Sequence, residues 1–334
     1  MKIFITGIAG FLGSNLAEAL IAQGHSVAGN DNLIGGEMDN LPQGVEFHPI
    51  DCNDWQALSK AMQGAEVVYH CAATPHEGLS VFSPALVAKH VYLATASTLS
   101  AAVQAGVRRF IYCSSMARYG DNPIPFTEDM PTRPVDPYGI SKVAGEDLVK
   151  LMAEVHKFEY VIAVPHNIYG PRQKYDDPYR NVVAIFINRM LQGKQPYIFG
   201  DGNQRRCFSY ISDVIDPLIR MAFQDNVVGE VINIGPDDEF VTINHLAEIV
   251  AEAVGFELDP IYVPERPQEV REATCSAMKA RRLLGYTPRV PLRQGVAQMV
   301  EWVRAKGPRP FRYHLGLEII TERTPKVWVH QLYA

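Results

Sequence analysis

The chain has 334 residues, 20% of them charged, and a formal net charge of −6. That acidic balance, with no basic cluster, argues against nucleic acid as the main partner, and no apolar run reaches the roughly 20 residues that a membrane span needs. Five scattered cysteines, Cys52, Cys71, Cys113, Cys207 and Cys275, form no C-x-x-C and read as single thiols, so neither disulfides nor a metal site is expected. No signal peptide precedes the first strand-like run, and the expectation is a cytoplasmic enzyme long enough for two lobes.

In chain order, Ile3-Phe4-Ile5 reads as a buried parallel strand. Gly7, Gly10 and Gly13 follow, and then Leu16, Ala17, Leu20 and Ile21 at helical spacing. The glycines therefore sit on a strand-to-helix turn. One permits a tight turn, one lets a backbone approach a pyrophosphate, and one lets the helix pack near the strand. The N–H groups of the helix start then favour phosphate oxygens. A second strand, Ser26 to Asp31, ends on an acid suited to ribose hydroxyls and hostile to a 2′-phosphate. No Arg or Lys lies between Asp31 and Leu41, which favours NAD over NADP. Glu46 to Asp51 reads as a third strand with Asp51 at its tip, placed to touch the adenine, and Asp54 caps the next helix.

Further strands are expected at Val67 to Ala73, Arg109 to Ser115 and Tyr160 to Asn167, with helices from about Pro84 to Ala105 and from Tyr138 to Lys157. This alternation predicts an α/β, Rossmann-type, doubly wound parallel sheet. Beyond Tyr169-Gly170-Pro171 the rhythm breaks, with helices near Val182 to Gln192, Ile211 to Phe223, Ile243 to Val254 and Leu292 to Arg304, while Val231 to Ile234 returns to the main sheet. The expected division is a dinucleotide-binding domain, 1–168 plus about 206–236, and a smaller C-terminal α/β substrate lobe, about 169–205 plus 237–334. Phe311 to Ala334 mixes aromatics with strand formers and suggests an added edge element.

Tyr138 and Lys142 stand at i and i+4, on one helical face. A cation beside a phenol favours the phenolate and makes the tyrosine a better base. Ser115 closes a strand, so its hydroxyl belongs at the carboxyl edge of the sheet, where such folds bind ligands. His76 reads as a loop residue, Ser80 and the Thr74-Pro75-His76 loop as neighbours of a substrate, and His70 and His166 as satisfied neighbours of the sheet.

The segments TGIAGFLG, HCAA at His70 to Ala73, SSMARYG at Ser114 to Gly120, YGISK, HNIYGPR at His166 to Arg172, GDGNQRRCFSYISDV at Gly200 to Val214, NIG at Asn233 to Gly235, ERPQEV at Glu265 to Val270 and LLGYTP at Leu283 to Pro288 occur in that order. In them the chain resembles extended short-chain dehydrogenase/reductases of the nucleotide-sugar epimerase/dehydratase family, over roughly Lys2 to Arg304. The resemblance implies Ser115, Tyr138 and Lys142 as the catalytic residues. It implies NAD contacts from Gly7, Gly10, Phe11, Leu12, Gly13, Asp31, Asn32, Asp51, Cys52, Ala72, Ala73, Tyr138 and Lys142. Substrate contacts are implied for Thr74, Ser115, Asn167, Asn181, Arg206, Arg266 and Glu269, the last binding a ribose hydroxyl or pairing with Arg266.

Met116 and Ala117 follow Ser115, where dehydratases, decarboxylases and 3,5-epimerases of the family carry acids or a cysteine. Neither moves a proton. The resemblance therefore points to a 4-epimerase acting on a nucleotide-diphosphate sugar, with a C4 dehydrogenase or keto-sugar reductase as the alternative and a noncatalytic NAD-binding regulator as the remote one. It also implies a homodimer through the helices Pro84 to Ala105 and Tyr138 to Lys157. Val91, Pro165 and Cys207 depart from the family pattern, and the segment after Lys306 has no counterpart in it.

Overall fold

The computed structural model describes residues 1–334. Strands β1 (Lys2–Thr6), β2 (Ser26–Asn30), β3 (Glu46–His48), β4 (Val67–His70), β5 (Arg109–Cys113), β6 (Glu159–Pro165) and β7 (Val231–Ile234) form one sheet in the order β7-β6-β5-β4-β1-β2-β3. Every pairing is parallel. The winding reverses between β1 and β4, which opens a crevice at the carboxyl ends of those strands. Successive side chains of β1 face opposite layers: Ile3 and Ile5 join one core and Phe4 the other. Both faces are covered, which is why these strands read as continuous apolar runs and not as alternating ones.

The helices are α1 (Phe11–Ala22), α2 (Trp55–Ala61), α3 (Pro84–Gln104), α4 (Pro137–His156), α5 (Val182–Leu191), α6 (Ile211–Phe223), α7 (Ile243–Val254) and α8 (Leu292–Lys306). Asp54 caps α2 by accepting from the Ala57 N–H at 3.0 Å, as expected. Asp136 does the same for α4, accepting from Gly139 N at 2.8 Å, with Pro137 in the first turn. That cap fixes where Tyr138 leaves the helix.

Several expectations are corrected. β4 and β5 stop at His70 and Cys113, short of Ala73 and Ser115, so Cys71–Thr74 and Ser114–Ser115 leave the ladder and turn over the crevice. α3 carries a π-helical turn at Lys89–Leu93. It places His90 with its Nδ1 3.1 Å from the Thr74 hydroxyl, a re-aiming that an unbroken helix would not give. At 21 residues α3 is also long and apolar enough to span a membrane, but half of it is buried within the protein, where its apolar face packs against α2 and α4. None of the cysteines is in a disulfide; four are buried and Cys71 is half-buried.

The segment after α8 forms no edge strand. Its only regular element is a short helix, Lys326–Val329. Trp328 is 2% exposed and wedges between Phe82, Tyr179 and Phe199, with ring centroids 6.1, 5.4 and 6.0 Å away. Burying an indole removes about 200 Å² from water, worth on the order of 5 kcal/mol. The tail is thereby bound to three distant parts of the chain.

Candidate active site

All the residues to which the resemblance assigns catalytic, NAD or substrate contacts line one cavity of about 420 Å³ over the carboxyl ends of the sheet. Its floor is the glycine turn. Gly7 has φ +70°, and a Cβ there would stand 2.9 Å from the Ala72 Cα; a Cβ on Gly13 would meet the Gly7 carbonyl oxygen at 2.3 Å. α1 therefore starts closer to β1 and β4 than any side chain permits. Its cap, Gly10, makes no side-chain hydrogen bond, so the first-turn N–H groups have no side-chain acceptor. Asp31 accepts from Leu33 N at 2.7 Å and Ala9 N at 3.1 Å, one per carboxylate oxygen, leaving a second lone pair on each. Burial raises its pKa against those N–H bonds. Asn32 donates to Asp51 at 2.8 Å, tying the tips of the second and third strands. Asn30, beside them, has a buried Oδ1 with no partner. Free helix N–H groups at one end and acceptors at the other fit the diphosphate and ribose of NAD.

Ser115, Tyr138 and Lys142 meet above this floor. Ser115 begins a 3₁₀ turn, its hydroxyl accepting from Ala117 N at 3.2 Å. Burial first, and then the nearby Glu77 carboxylate, push the Tyr138 phenol well above its usual value, opposed by the Ser115 hydroxyl and by the Arg180 guanidinium. The expected role of Lys142 as the cation lowering that pKa is corrected: its Nζ donates to the Cys113 carbonyl at 2.6 Å and lies 5.9 Å from the Tyr138 ring centroid. Burial lowers the Lys142 amine to about 8. Behind them Glu146, one turn past Lys142, takes three hydrogen bonds from Arg118 and one from Ser114, which pins α4 to the end of β5.

The opposite wall carries Arg206, Arg266 and Glu269. Glu269 pairs with Arg266, accepting from its Nη2 at 2.9 Å and its Nε at 3.1 Å. Burial raises the Glu269 carboxyl, but Arg266 prevails and holds it below its usual range. Arg206 donates to the Arg205 and Arg271 carbonyls at 2.8 and 3.1 Å, and the Arg266 guanidinium lies over Phe199, 4.6 Å from the ring centroid. Asn167 donates to the Cys207 carbonyl at 2.8 Å, and Asn181 caps α5 through Val183 N at 3.0 Å.

Sequence reasoning missed Glu77. It is exposed to the cavity yet surrounded by protein; burial and Asp136 push its carboxyl up to about 7 against the pull of Arg206 and Arg266. An acid two residues past a loop proline was the available signal. Arg180, Asp177, His314, Trp328 and Tyr333 also line the cavity and were missed, the last three because the tail was read as an edge element.

The other polar expectations divide. His70 is satisfied, with Nδ1 2.8 Å from Thr6 Oγ1 and Nε2 3.0 Å from Thr95 Oγ1, and burial lowers its pKa to about 3. His166 is not satisfied: both ring nitrogens are buried without partners, and burial lowers its pKa to about 4. Ser80 does not line the cavity and donates to the Glu77 carbonyl at 2.6 Å. His76 lies in a loop, as expected, but is 5% exposed with Nε2 2.7 Å from Asp177.

A doubly wound sheet with this floor and a Ser-Tyr-Lys group at the cavity defines a dinucleotide-dependent α/β enzyme. The chain matches the NAD dependent epimerase/dehydratase family over residues 3–235. It is 35% identical over 316 residues to a UDP-glucose 4-epimerase of Mycolicibacterium smegmatis, covering 92% of this chain and 99% of that one. The structure of a Thermotoga maritima UDP-glucose 4-epimerase with UDP-glucose superposes with a TM-score of 0.87 at 33% identity, covering 92% of this chain and 99% of the other. A Bacillus cereus UDP-glucuronic acid 4-epimerase in complex with UDP-glucuronic acid and NAD superposes at 0.85 with 31% identity, covering 92% and 100%. The chain belongs to this family and is an NAD-dependent sugar-nucleotide epimerase of the extended short-chain dehydrogenase/reductase type.

Proposed function

We propose that the protein interconverts nucleotide sugars at C4 through a transient 4-keto sugar, with substrates of the UDP-glucose or UDP-N-acetylglucosamine type. The observation that carries this reading is that Ser115, Tyr138 and Lys142 line the same cavity as the glycine turn, while Ser115 is followed by Met116 and Ala117, which handle no protons. Bound over the glycine turn, NAD⁺ supplies a hydride acceptor and, once reduced, a hydride donor. Tyr138 removes the proton of the 4-hydroxyl and later returns it. Ser115 hydrogen-bonds the same oxygen and holds it in line. The buried phenol is a poor base until positive charge gathers near it, and Arg180 is the chain's own cation that acts on it. Arg206 and Arg266 suit the diphosphate, so that remote binding energy retains the keto sugar while it turns.

The test is purified protein with catalytic NAD⁺ and UDP-glucose, UDP-N-acetylglucosamine or UDP-glucuronate. The C4 epimer of one substrate should appear without net NADH, and Tyr138→Phe should slow it about 10²- to 10⁴-fold. Stoichiometric NADH without an epimer would establish the one-way dehydrogenase or reductase instead. NAD⁺ binding with no turnover of any sugar would leave the regulator.

An apolar stripe supports a homodimer. Leu93 on α3 and Ile140, Leu151 and Val155 on α4 are each more than half exposed, and those on α4 recur at helical spacing. Two copies joined through these helices would bury it.

A further inference from the structure

The carboxyl ends of β4 and β5 carry two thiols that the C4 reaction does not use. The parallel ladder pairs His70 with Tyr112, and Cys71 and Cys113 are the next residue on each side. They continue the face of Tyr69 and Ile111, so both sulfurs enter the same packed layer. The two Sγ atoms are 3.7 Å apart, in hydrogen-bonding contact. Both residues line the cavity, and Cys71 is half-buried where the other four cysteines are buried. Neighbouring strands run about 4.8 Å apart, within the roughly 4.4–6.8 Å between Cα atoms that a disulfide spans. Side-chain rotation and a small approach of the strand ends therefore suffice to bring the sulfurs to their bonding distance of about 2.0 Å.

The surroundings favour that bond. The hydrogen bond with Cys71, and then the Lys142 cation, hold the Cys113 thiol below its usual value against burial. The same hydrogen bond, together with burial, raises the Cys71 thiol. Cys113 is thus the sulfur that ionises first, and a thiolate is the nucleophile in thiol oxidation. The catalytic group is tied to this pair. Lys142 Nζ donates to the Cys113 carbonyl at 2.6 Å, and while burial lowers its amine, the two sulfurs oppose that shift. Ser115 lies two residues beyond Cys113, on the segment that leaves the ladder.

We propose that Cys71 and Cys113 are an oxidation site that hydrogen peroxide closes to a disulfide, slowing the enzyme reversibly by shifting the Cys113 carbonyl and with it Lys142. The Cys113 thiolate attacks one peroxide oxygen, the O–O bond breaks, and the departing hydroxide takes up the proton that Cys113 released. The Cys71 sulfur then attacks the Cys113 sulfenic acid: the S–S bond forms, the S–O bond breaks, and hydroxide leaves with the Cys71 proton. Two thiols and one hydrogen peroxide give one disulfide and two waters, the sulfurs losing the two electrons that the peroxide gains. This goes beyond the nucleotide-sugar reading and needs it only for the activity that is measured.

The test treats NAD-loaded protein with hydrogen peroxide, blocks the remaining thiols under denaturing conditions and maps the digested peptides by mass. The Cys71 and Cys113 peptides should be found joined, lighter by two hydrogens than their sum. Epimerisation of the UDP-sugar that the protein turns over should fall about 10- to 100-fold, the cost of a misplacement on the order of 1 Å, and dithiothreitol should restore both. Untreated Cys71→Ser should epimerise at nearly the wild-type rate, form no link and keep its activity through the same exposure; Cys71→Ala serves if the serine variant fails to fold. Absence of the link in wild-type protein, a link that leaves activity unchanged, or equal loss in Cys71→Ser overturns the proposal. Turnover of no UDP-sugar by untreated protein counts against the proposed function alone, and the link with its reversal, read by mass, then decides the oxidation site.

Discussion

Lys142 exposes a conflict between stability and function that can be measured. Its amine is buried, and its pKa falls from 10.5 to about 8. At about 1.4 kcal/mol per pH unit, keeping that amine charged at neutral pH costs the cofactor-free fold roughly 3 kcal/mol. The Nζ donates a hydrogen bond to the Cys113 carbonyl, which offsets about 1 kcal/mol when the side chain is replaced. Lys142→Met should therefore stabilise the NAD-free protein by about 2 kcal/mol at pH 7, raising Tm by a few degrees. The sign follows from linkage: a depressed amine pKa penalises the folded state in full below the folded value of about 8, and the penalty disappears as pH rises to the unfolded 10.5. Urea unfolding at pH 7 and pH 9.5 should show the advantage of the methionine variant shrinking to within about 1 kcal/mol, while epimerisation is lost at both. A variant less stable than wild type at pH 7, or a gap that does not narrow with pH, would refute the account of Lys142 as a strained cation.

Two further outcomes follow from charge and from surface. The Glu77 carboxyl lies near 7 between Arg206 and Arg266, so a diphosphate arriving at those guanidinia pushes it higher and makes it take up a proton. Titration calorimetry with UDP at pH 7 in buffers of different ionisation enthalpy should show net uptake of a fraction of a proton, absent in Glu77→Gln; release would contradict this placement. Leu151→Lys, on the exposed stripe of α4, should lower the sedimentation mass from two chains to one while leaving the melting curve nearly unchanged, and an unaltered mass would remove that face from the dimer interface.

What the sequence made legible has one physical origin: it is local. Ile3-Phe4-Ile5 and the three glycines report a buried strand and a turn within a dozen residues, and the Asp31 strand adds the cofactor preference. Tyr138 and Lys142 share a helical face by spacing alone. Which charges act on which groups was not legible, because that is set by burial. The spacing pairs a cation with a phenol, yet the folded chain turns Lys142 to a backbone carbonyl and leaves Arg180 and Glu77 to act on the ring. The π turn in α3 was hidden likewise, since one extra residue in a helix alters no hydrophobic period.

The tail shows why local pattern fails at the substrate wall. Its aromatics do alternate with strand formers, but a strand needs a partner edge, and the main sheet ends on β7 and β3 without taking it. Tyr313 is instead 5.8 Å from Tyr179, Trp328 packs on Phe82 and Phe199, and Tyr333 lies against Phe311, so each ring finds its contact through long-range packing and not through a ladder. The His76 and Asp177 pair is 101 residues apart in sequence, and both line the cavity together with His314, so no window of sequence contains this part of the wall. Cofactor residues in this fold follow from one turn and one strand tip, whereas substrate residues are gathered from loops of several excursions. Trp328 and Tyr333 reach the cavity wall from the end of the chain, so that side of the site depends on packing that the glycine turn and the Ser115, Tyr138 and Lys142 group do not fix.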